Sequence, residues 1–225
     1  MLGAMPSFAL EIPAAAEQWF TLTLVALGLH LFAEYRKWSA AIAVTKLVAS
    51  TGFLLTAASA GALELDWGRW LFVGLVLSWV GDACLLGRGK ATFLAGLVAF
   101  LLGHVSYCVA FFVRGFDSTV ALTAVPLLAI AGLLVDRWLR PHVGDDMRLP
   151  VRAYIVVIST MLALAIAAWR GGASHLLLLG AVSFYLSDLS VARDRFIEEG
   201  FFNRLWGLPA YYLGQLCLAL SVLPV

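Results

Sequence analysis

The chain has 225 residues, of which 62% are hydrophobic and 13% charged, with a net charge of +1 at pH 7. A soluble domain averages about 45–50% apolar and about 25% charged residues, so soluble globular, disordered and fibrous architectures are excluded. No basic run of the kind that tracks nucleic-acid phosphates is present.

The first sixteen residues hold Glu11 and no Lys or Arg, so they lack the positive n-region of a secretory signal and read as a retained N-terminus. Eight apolar stretches of near bilayer-spanning length then occupy about 17–34, 38–60, 68–87, 92–114, 118–136, 149–169, 173–192 and 201–224. Span one carries His30 near its end and breaks at Glu34-Tyr35-Arg36-Lys37. Span two contains Lys46, and the Gly61–Gly68 stretch separates it from span three, which contains Asp82. Gly87-Arg88-Gly89-Lys90 leads into span four, where Tyr107 follows His104 by three residues and shares its helical face. Arg114–Asp117 precedes span five, and the longest connection, Arg137–Arg148, precedes span six, with Tyr154 early in it. Span seven holds Ser187 and Asp188. After Arg193–Gly200, span eight places Tyr212 and Gln215 three residues apart. Cys84, Cys108 and Cys217 all fall in apolar stretches and read as small hydrophobes rather than disulfide partners. Trp19, Trp38, Trp67, Trp70, Trp138, Trp169 and Trp206 read as an interfacial aromatic belt.

Eight spans of about 20 residues use about 160 positions and leave no room for a soluble catalytic domain. The stretches are too long and too continuously apolar for barrel strands, so every backbone group must be satisfied within a helix. The expected fold is all-α: one polytopic transmembrane domain over residues 1–225, with eight helices.

Lys and Arg set the orientation. Connections 1–2, 3–4, 5–6 and 7–8 hold eleven: Arg36, Lys37, Arg88, Lys90, Arg137, Arg140, Arg148, Arg152, Arg193, Arg195 and Arg204. The opposite side holds three: Arg69, Arg114 and Arg170. Both termini are therefore expected outside, with the odd connections in the cytoplasm of a bacterial inner membrane. Trp79-Val80-Gly81-Asp82 echoes Tyr185-Leu186-Ser187-Asp188, a short match compatible with a four-plus-four duplication.

Ionisable residues within spans cost about 2.5–3.5 kcal/mol near the bilayer centre, so they point to function. Helical rise puts Lys46 roughly 12 Å, Asp82 and Asp188 roughly 6–8 Å, and His104 roughly 18 Å from the cytoplasmic face. The two aspartates are thus level with each other, on helices with small flanking residues: Gly74, Ser78 and Gly81 on one, Gly180, Ser183 and Ser187 on the other. Small faces of this kind let helices approach closely. Two adjacent carboxylates cannot both ionise, which sets a general acid beside a general base.

Several segments together resemble the YhhN/TMEM86 family of membrane lysoplasmalogenases. They are Gly81-Asp82-Ala83-Cys84-Leu85-Leu86, His104-x-x-Tyr107, Leu149-Pro150-Val151 with Tyr154, Gly180-Ala181-x-x-Phe184-x-x-Ser187-Asp188, Phe196, and Tyr211-Tyr212-x-x-Gln215. They occur in the family's order from span two to span eight. One departure is the absence of the proline that typically follows the family's span-two lysine: here Leu47-Val48 follow Lys46. The resemblance implies cleavage of the vinyl ether of a lysoplasmalogen to a fatty aldehyde and glycerophospho-ethanolamine or -choline. Protonation of carbon and capture by water, the steps of that reaction, suit Asp82 and Asp188 as the catalytic pair, by analogy with glycosidase carboxylates. Lys46 and His104 are expected at the phosphate side of the substrate or beside the pair's proton. Tyr107, Tyr154, Ser187, Tyr212 and Gln215 would supply hydrogen bonds, and no metal or cofactor is required. The partners expected are the lysophospholipid and the bilayer; headgroup preference and oligomeric state stay open.

Three other readings share the same residues. An intramembrane aspartyl protease also uses two Asp, but its motifs are imperfectly matched by Trp79-Val80-Gly81-Asp82, Ser187-Asp188 and Leu208-Pro209-Ala210. A zinc hydrolase would draw on His30, His104 and Asp82, with His142 and His175 placed elsewhere. A small lipid or solute transporter would use Lys46, Asp82 and Asp188 as a coupled binding site.

Overall fold

A computed structural model describes residues 12–87 and 89–224; Glu11 and Arg88 lie outside the described residues. Among the described residues the chain forms eight α-helices and one 3-10 turn, Ala62–Glu64, with no strand. The helices are α1 (Ala14–Arg36), α2 (Ser39–Ser59), α3 (Asp66–Leu85), α4 (Lys90–Arg114), α5 (Ser118–Leu139), α6 (Asp145–Arg170), α7 (His175–Phe196) and α8 (Phe201–Leu220). Each expected span coincides with one helix. The largest boundary difference is the Arg137–Arg148 connection, which shrinks to residues 140–144 because α6 begins at Asp145. Asp145 and Asp146 occupy its first turn, where carboxylates complement the helix dipole, so the helix extends past the apolar run. The last span, by contrast, overshoots: α8 stops at Leu220, four residues short of 224.

Six helices, α2 to α7, are long and apolar enough to cross a membrane, which makes this a multi-pass membrane protein. The other two carry more polar side chains: Glu17, Gln18 and His30 in α1, and Asn203, Arg204, Tyr211, Tyr212 and Gln215 in α8. Those of α8 are buried or half-buried, because the helix packs against α1, α2, α3 and α7. Sequential helices pair as hairpins, α1 with α2, α3 with α4, α5 with α6 and α7 with α8, while α4 and α7 also pack on α6. Helix α5 rests chiefly on α6 and exposes Leu122, Leu127, Ile130, Leu133 and Leu134, an apolar face suited to lipid.

The small residues on α3 and α7 serve a different contact from the one expected. A Cβ on Gly81 would stand 2.6 Å from Phe100 Cε2, and one on Gly74 would meet the Tyr107 ring, so the small face of α3 seats the aromatics of α4. A Cβ on Gly180 would stand 2.7 Å from Leu218 Cγ and 2.9 Å from the Gly214 carbonyl, so the small face of α7 seats α8. Close approach is achieved, but within hairpins. Phe100, Phe184 and Tyr211 meet edge-on between these hairpins, with ring centroids 5.4–6.2 Å apart, and form the apolar centre under the site.

Candidate active site

A cavity of about 940 Å³ opens at the end of the bundle where α1 joins α2, α3 joins α4, α5 joins α6 and α7 joins α8. Its polar lining includes Lys46, Asp82, Tyr154, Asp188 and Tyr211. One wall is apolar, built from Phe93 and Leu97 of α4, Leu139 of α5, and Ile155 and Ile158 of α6. The rim is charged, with Glu34, Glu199 and Arg204, and Arg195 borders the apolar wall at Phe93. An amphiphile with one chain and a polar head matches this division.

Asp82 is buried, and three side chains hold it. Lys46 Nζ donates to Oδ1 at 3.3 Å, while Ser50 Oγ and Tyr211 OH donate to Oδ2 at 2.5 and 2.7 Å. A buried carboxylate is stable when a cation and hydrogen bonds replace its hydration, and Asp82 has both. Lys46 and Ser50 lie one turn apart on α2, so a single helix face delivers cation and hydroxyl together. Pro209 has no N–H for the Leu205 carbonyl, so the helix ladder is interrupted one turn away, close to Tyr211.

Asp188 sits in a separate group. Tyr154 OH donates to its Oδ2 at 2.8 Å, and His104 Nε2 lies 3.5 Å from the same oxygen. His104 Nδ1 is 2.7 Å from the Phe100 carbonyl, which fixes Nδ1 as the protonated nitrogen. When the ring is neutral, Nε2 aims its lone pair at a carboxylate oxygen, so imidazole and carboxylate share one proton between them. Each aspartate is thus held by its own partners rather than by the other.

Of the expected site residues, Lys46, Asp82, Tyr154, Ser187 and Asp188 line the cavity. Four stand behind it. His104 backs Asp188, and Tyr107 OH donates to Gln215 Oε1 at 2.9 Å within the core. Tyr212 OH donates to the Lys46 carbonyl at 3.3 Å and bears on Ser50 at 3.5 Å, so it braces α2 rather than touching Asp82. Ser187 Oγ spends its proton on the Phe184 carbonyl at 2.8 Å. Sequence reasoning left Ser50 out, although its position one turn after Lys46 was a usable signal. It quoted Tyr211 in a motif without giving it a role. The rim network of Glu34, Arg204, Asp194 and Glu199 was also missed; no motif marks it, because its members lie 170 residues apart at the extreme. The histidines considered for zinc belong to different groups: His30 Nδ1 pairs with Thr45 Oγ1 at 3.0 Å, whereas His104 serves Asp188.

The YhhN family model matches residues 42–222, which takes in both carboxylate groups and all the helices that carry them. The chain belongs to the YhhN family. Lysoplasmalogenase TMEM86A of Bos taurus is 29% identical over 222 residues, 95% of this chain and 82% of its own length. Lysoplasmalogenase TMEM86B of Mus musculus is 32% identical over 212 residues, 92% of this chain and 87% of its own. A lysoplasmalogenase of Mycobacterium tuberculosis is 35% identical over 161 residues, 66% of this chain and 58% of its own. No solved structure matches the chain.

Proposed function

We propose that this protein is a lysoplasmalogenase, a hydrolase that splits the vinyl ether of a lysoplasmalogen into a fatty aldehyde and a glycerophospho-ethanolamine or -choline. The observation that carries the reading is a buried and a half-buried carboxylate, with unlike partners, on one cavity that has an apolar wall and a charged rim. The names of its family relatives support the substrate class.

Asp188 is the acid. Its Oδ1 makes no hydrogen bond among the described residues, and its Oδ2 faces Tyr154 and His104. The proton held by the Asp188–His104 pair passes to the vinyl carbon remote from the ether oxygen. The ether-bearing carbon becomes an oxocarbenium ion. Asp82, ionised beside Lys46, orients a water onto that carbon and takes its proton, and the hemiacetal splits to aldehyde and glycerol hydroxyl. One water is consumed: one of its hydrogens replaces the proton given to carbon, the other ends on the glycerol oxygen. The chain occupies the apolar wall, and Lys46 balances Asp82 rather than the substrate phosphate.

In the same reading all eight helices cross a bacterial inner membrane, both termini are outside, and the cavity faces the cytoplasm. The excess of Lys and Arg at the cavity's end supports this placement. The four-plus-four relation is supported by the equivalence of Asp82 on α3 and Asp188 on α7, each in the third helix of its half.

The test uses purified protein in detergent with a mixed lysophospholipid pool, and mass spectrometry of the products. Aldehyde and glycerophospho-amine form from alkenyl lipids alone, and in heavy water the aldehyde gains one deuterium beside its carbonyl. Folded Asp188→Asn and Asp82→Asn proteins lose about 10²–10⁴-fold in aldehyde release. Retention of near wild-type release by either would remove the two-carboxylate mechanism.

A further inference from the structure

Four described cations line the cavity: Lys37, Lys46, Arg195 and Arg204. Two are already committed. Lys46 pairs with Asp82, and Arg204 bridges Glu34, Asp194 and Glu199. Lys37 is exposed at the turn after α1, a helix that packs chiefly on α2 and α8 rather than on α6 and α7, which carry Tyr154 and Asp188. Arg195 is in no ion pair among the described residues, since Glu198 pairs with Arg193 and Glu199 with Arg204. Its guanidinium lies 4.3 Å from the centre of the Phe93 ring, itself a cavity residue, and Phe93 is braced edge-on by Phe196 at 6.0 Å. A guanidinium stacked on a ring keeps its edge N–H groups available for a planar anion.

Register supplies the second argument. Arg195 follows Asp188 by seven residues on α7, so the two share a face to within about 20°. Seven residues rise about 10.5 Å, and the arginine side chain leans back toward the helix N-terminus, hence toward Asp188. In a lysoplasmalogen, seven bonds separate the carbon that takes the proton from phosphorus. At about 1.2–1.3 Å of advance per bond, as in an extended chain, that is about 9 Å.

We propose that Arg195 is the phosphate-binding residue, and that α7 acts as a ruler setting the vinyl ether at Asp188 when the sn-3 phosphate is on Arg195. The site is thereby specific for phosphorylated alkenyl glycerols, whatever amine the phosphate carries. This rests on the lysoplasmalogenase reading for its substrate, but binding can be measured without turnover.

The decisive comparison is Arg195→Ala, Arg195→Lys and wild type, each with an alkenyl lysophospholipid and with the matching alkenylglycerol that lacks phosphate. Charge-assisted hydrogen bonds of this kind correspond to about 10- to 100-fold in affinity. Arg195→Ala raises KM for the phospholipid by that factor with little change in kcat, Arg195→Lys recovers part of it, and alkenylglycerol turnover is unaffected. Detergent-solubilised protein is also titrated with a 1-O-alkyl lysophospholipid, which has no vinyl ether to cleave, and wild type binds it more tightly than Arg195→Ala by the same factor. Equal loss with both substrates, or equal binding of the alkyl analogue by wild type and both variants, overturns the assignment. Binding that depends on Arg195 in a protein that releases no aldehyde would sink the enzymatic reading and leave Arg195 as a phosphate ligand.

Discussion

Replacing Lys46 with Met separates the structural from the chemical role of the Asp82 group. The ammonium and carboxylate are 3.3 Å apart, with side chains 12% and 2% exposed, so their attraction is about 5 kcal/mol at an effective dielectric of about 20. Much of that offsets the cost of dehydrating both ions. Removing only the cation leaves Asp82 charged and buried among Ser50, Tyr211 and the bundle core, a situation that costs about 3–5 kcal/mol. For a chain of this size that is about 6–20 °C in the unfolding midpoint. Asp82→Asn costs less, because an amide still accepts from Ser50 and Tyr211 and the partly exposed ammonium can turn into the cavity. The double variant Lys46→Met/Asp82→Asn recovers at least half the stability lost by Lys46→Met, while aldehyde release stays abolished. Thermal unfolding in detergent, followed by tryptophan fluorescence beside an aldehyde assay, reads both quantities. If the double variant is no more stable than Lys46→Met, the ion pair is not what makes Lys46 necessary. If it regains activity, Asp82 is not in the chemistry.

The adjacent tyrosines of α8 should behave differently. Tyr211→Phe removes a 2.7 Å hydrogen bond to Asp82 and lowers kcat by about 10-fold, the scale of one hydrogen bond to a charged group, whereas Tyr212→Phe alters mainly the unfolding midpoint. Equal kinetic effects would contradict the geometry. Gly81→Ala places a Cβ 2.6–2.9 Å from three atoms of the Phe100 ring, which cannot retreat because Phe184 and Tyr211 pack on it. Overpacking costs about 1–3 kcal/mol, against about 1 kcal/mol gained in helix propensity, so the variant is less stable on balance. A neutral or stabilising result would show that the α3–α4 contact is looser than described.

Helices were the most legible feature of the sequence, because a continuous apolar run of about 20 residues has few other stable forms in lipid. Their ends were less so. The expected stop before Arg137 and start after Arg148 followed hydropathy, yet a helix need not end where the hydrocarbon does, and charged turns at 137–139 and 145–148 continue it. Partner choice was the least legible. Gly74, Gly81 and Gly180 announce that something comes close, but not what comes close; the answer depends on where Tyr107, Phe100 and Leu218 point. The inferred contact between α3 and α7 therefore gave way to contacts within the α3–α4 and α7–α8 hairpins.

The same physics explains why the site was readable in part. A charge inside an apolar helix stands out, so Lys46, Asp82 and Asp188 were identifiable one by one, and the matching depth expected for the two aspartates followed from helical rise. Hydroxyls cost little to bury and occur throughout such helices, so Ser50 was marked only by its one-turn spacing from Lys46, and nothing distinguished Tyr211 from Tyr212 until the helices were oriented. Ser50 and Tyr211 reach Asp82, while Thr56 bonds the Gly52 carbonyl of its own helix. Orientation also gives the two aspartates the unlike surroundings that the proposed mechanism uses. Asp82 receives a lysine and two hydroxyls, which suits a group that must stay charged. Asp188 receives a tyrosine and an imidazole lone pair, which suits a group that must hold a proton and release it. In α8, polarity serves the cavity: the helix falls short of the apolarity of a membrane span because it carries Arg204 to the rim and Tyr211, Tyr212 and Gln215 into the bundle interior. Those residues cross-link the rim carboxylates, hold Asp82, brace Lys46 and anchor Tyr107.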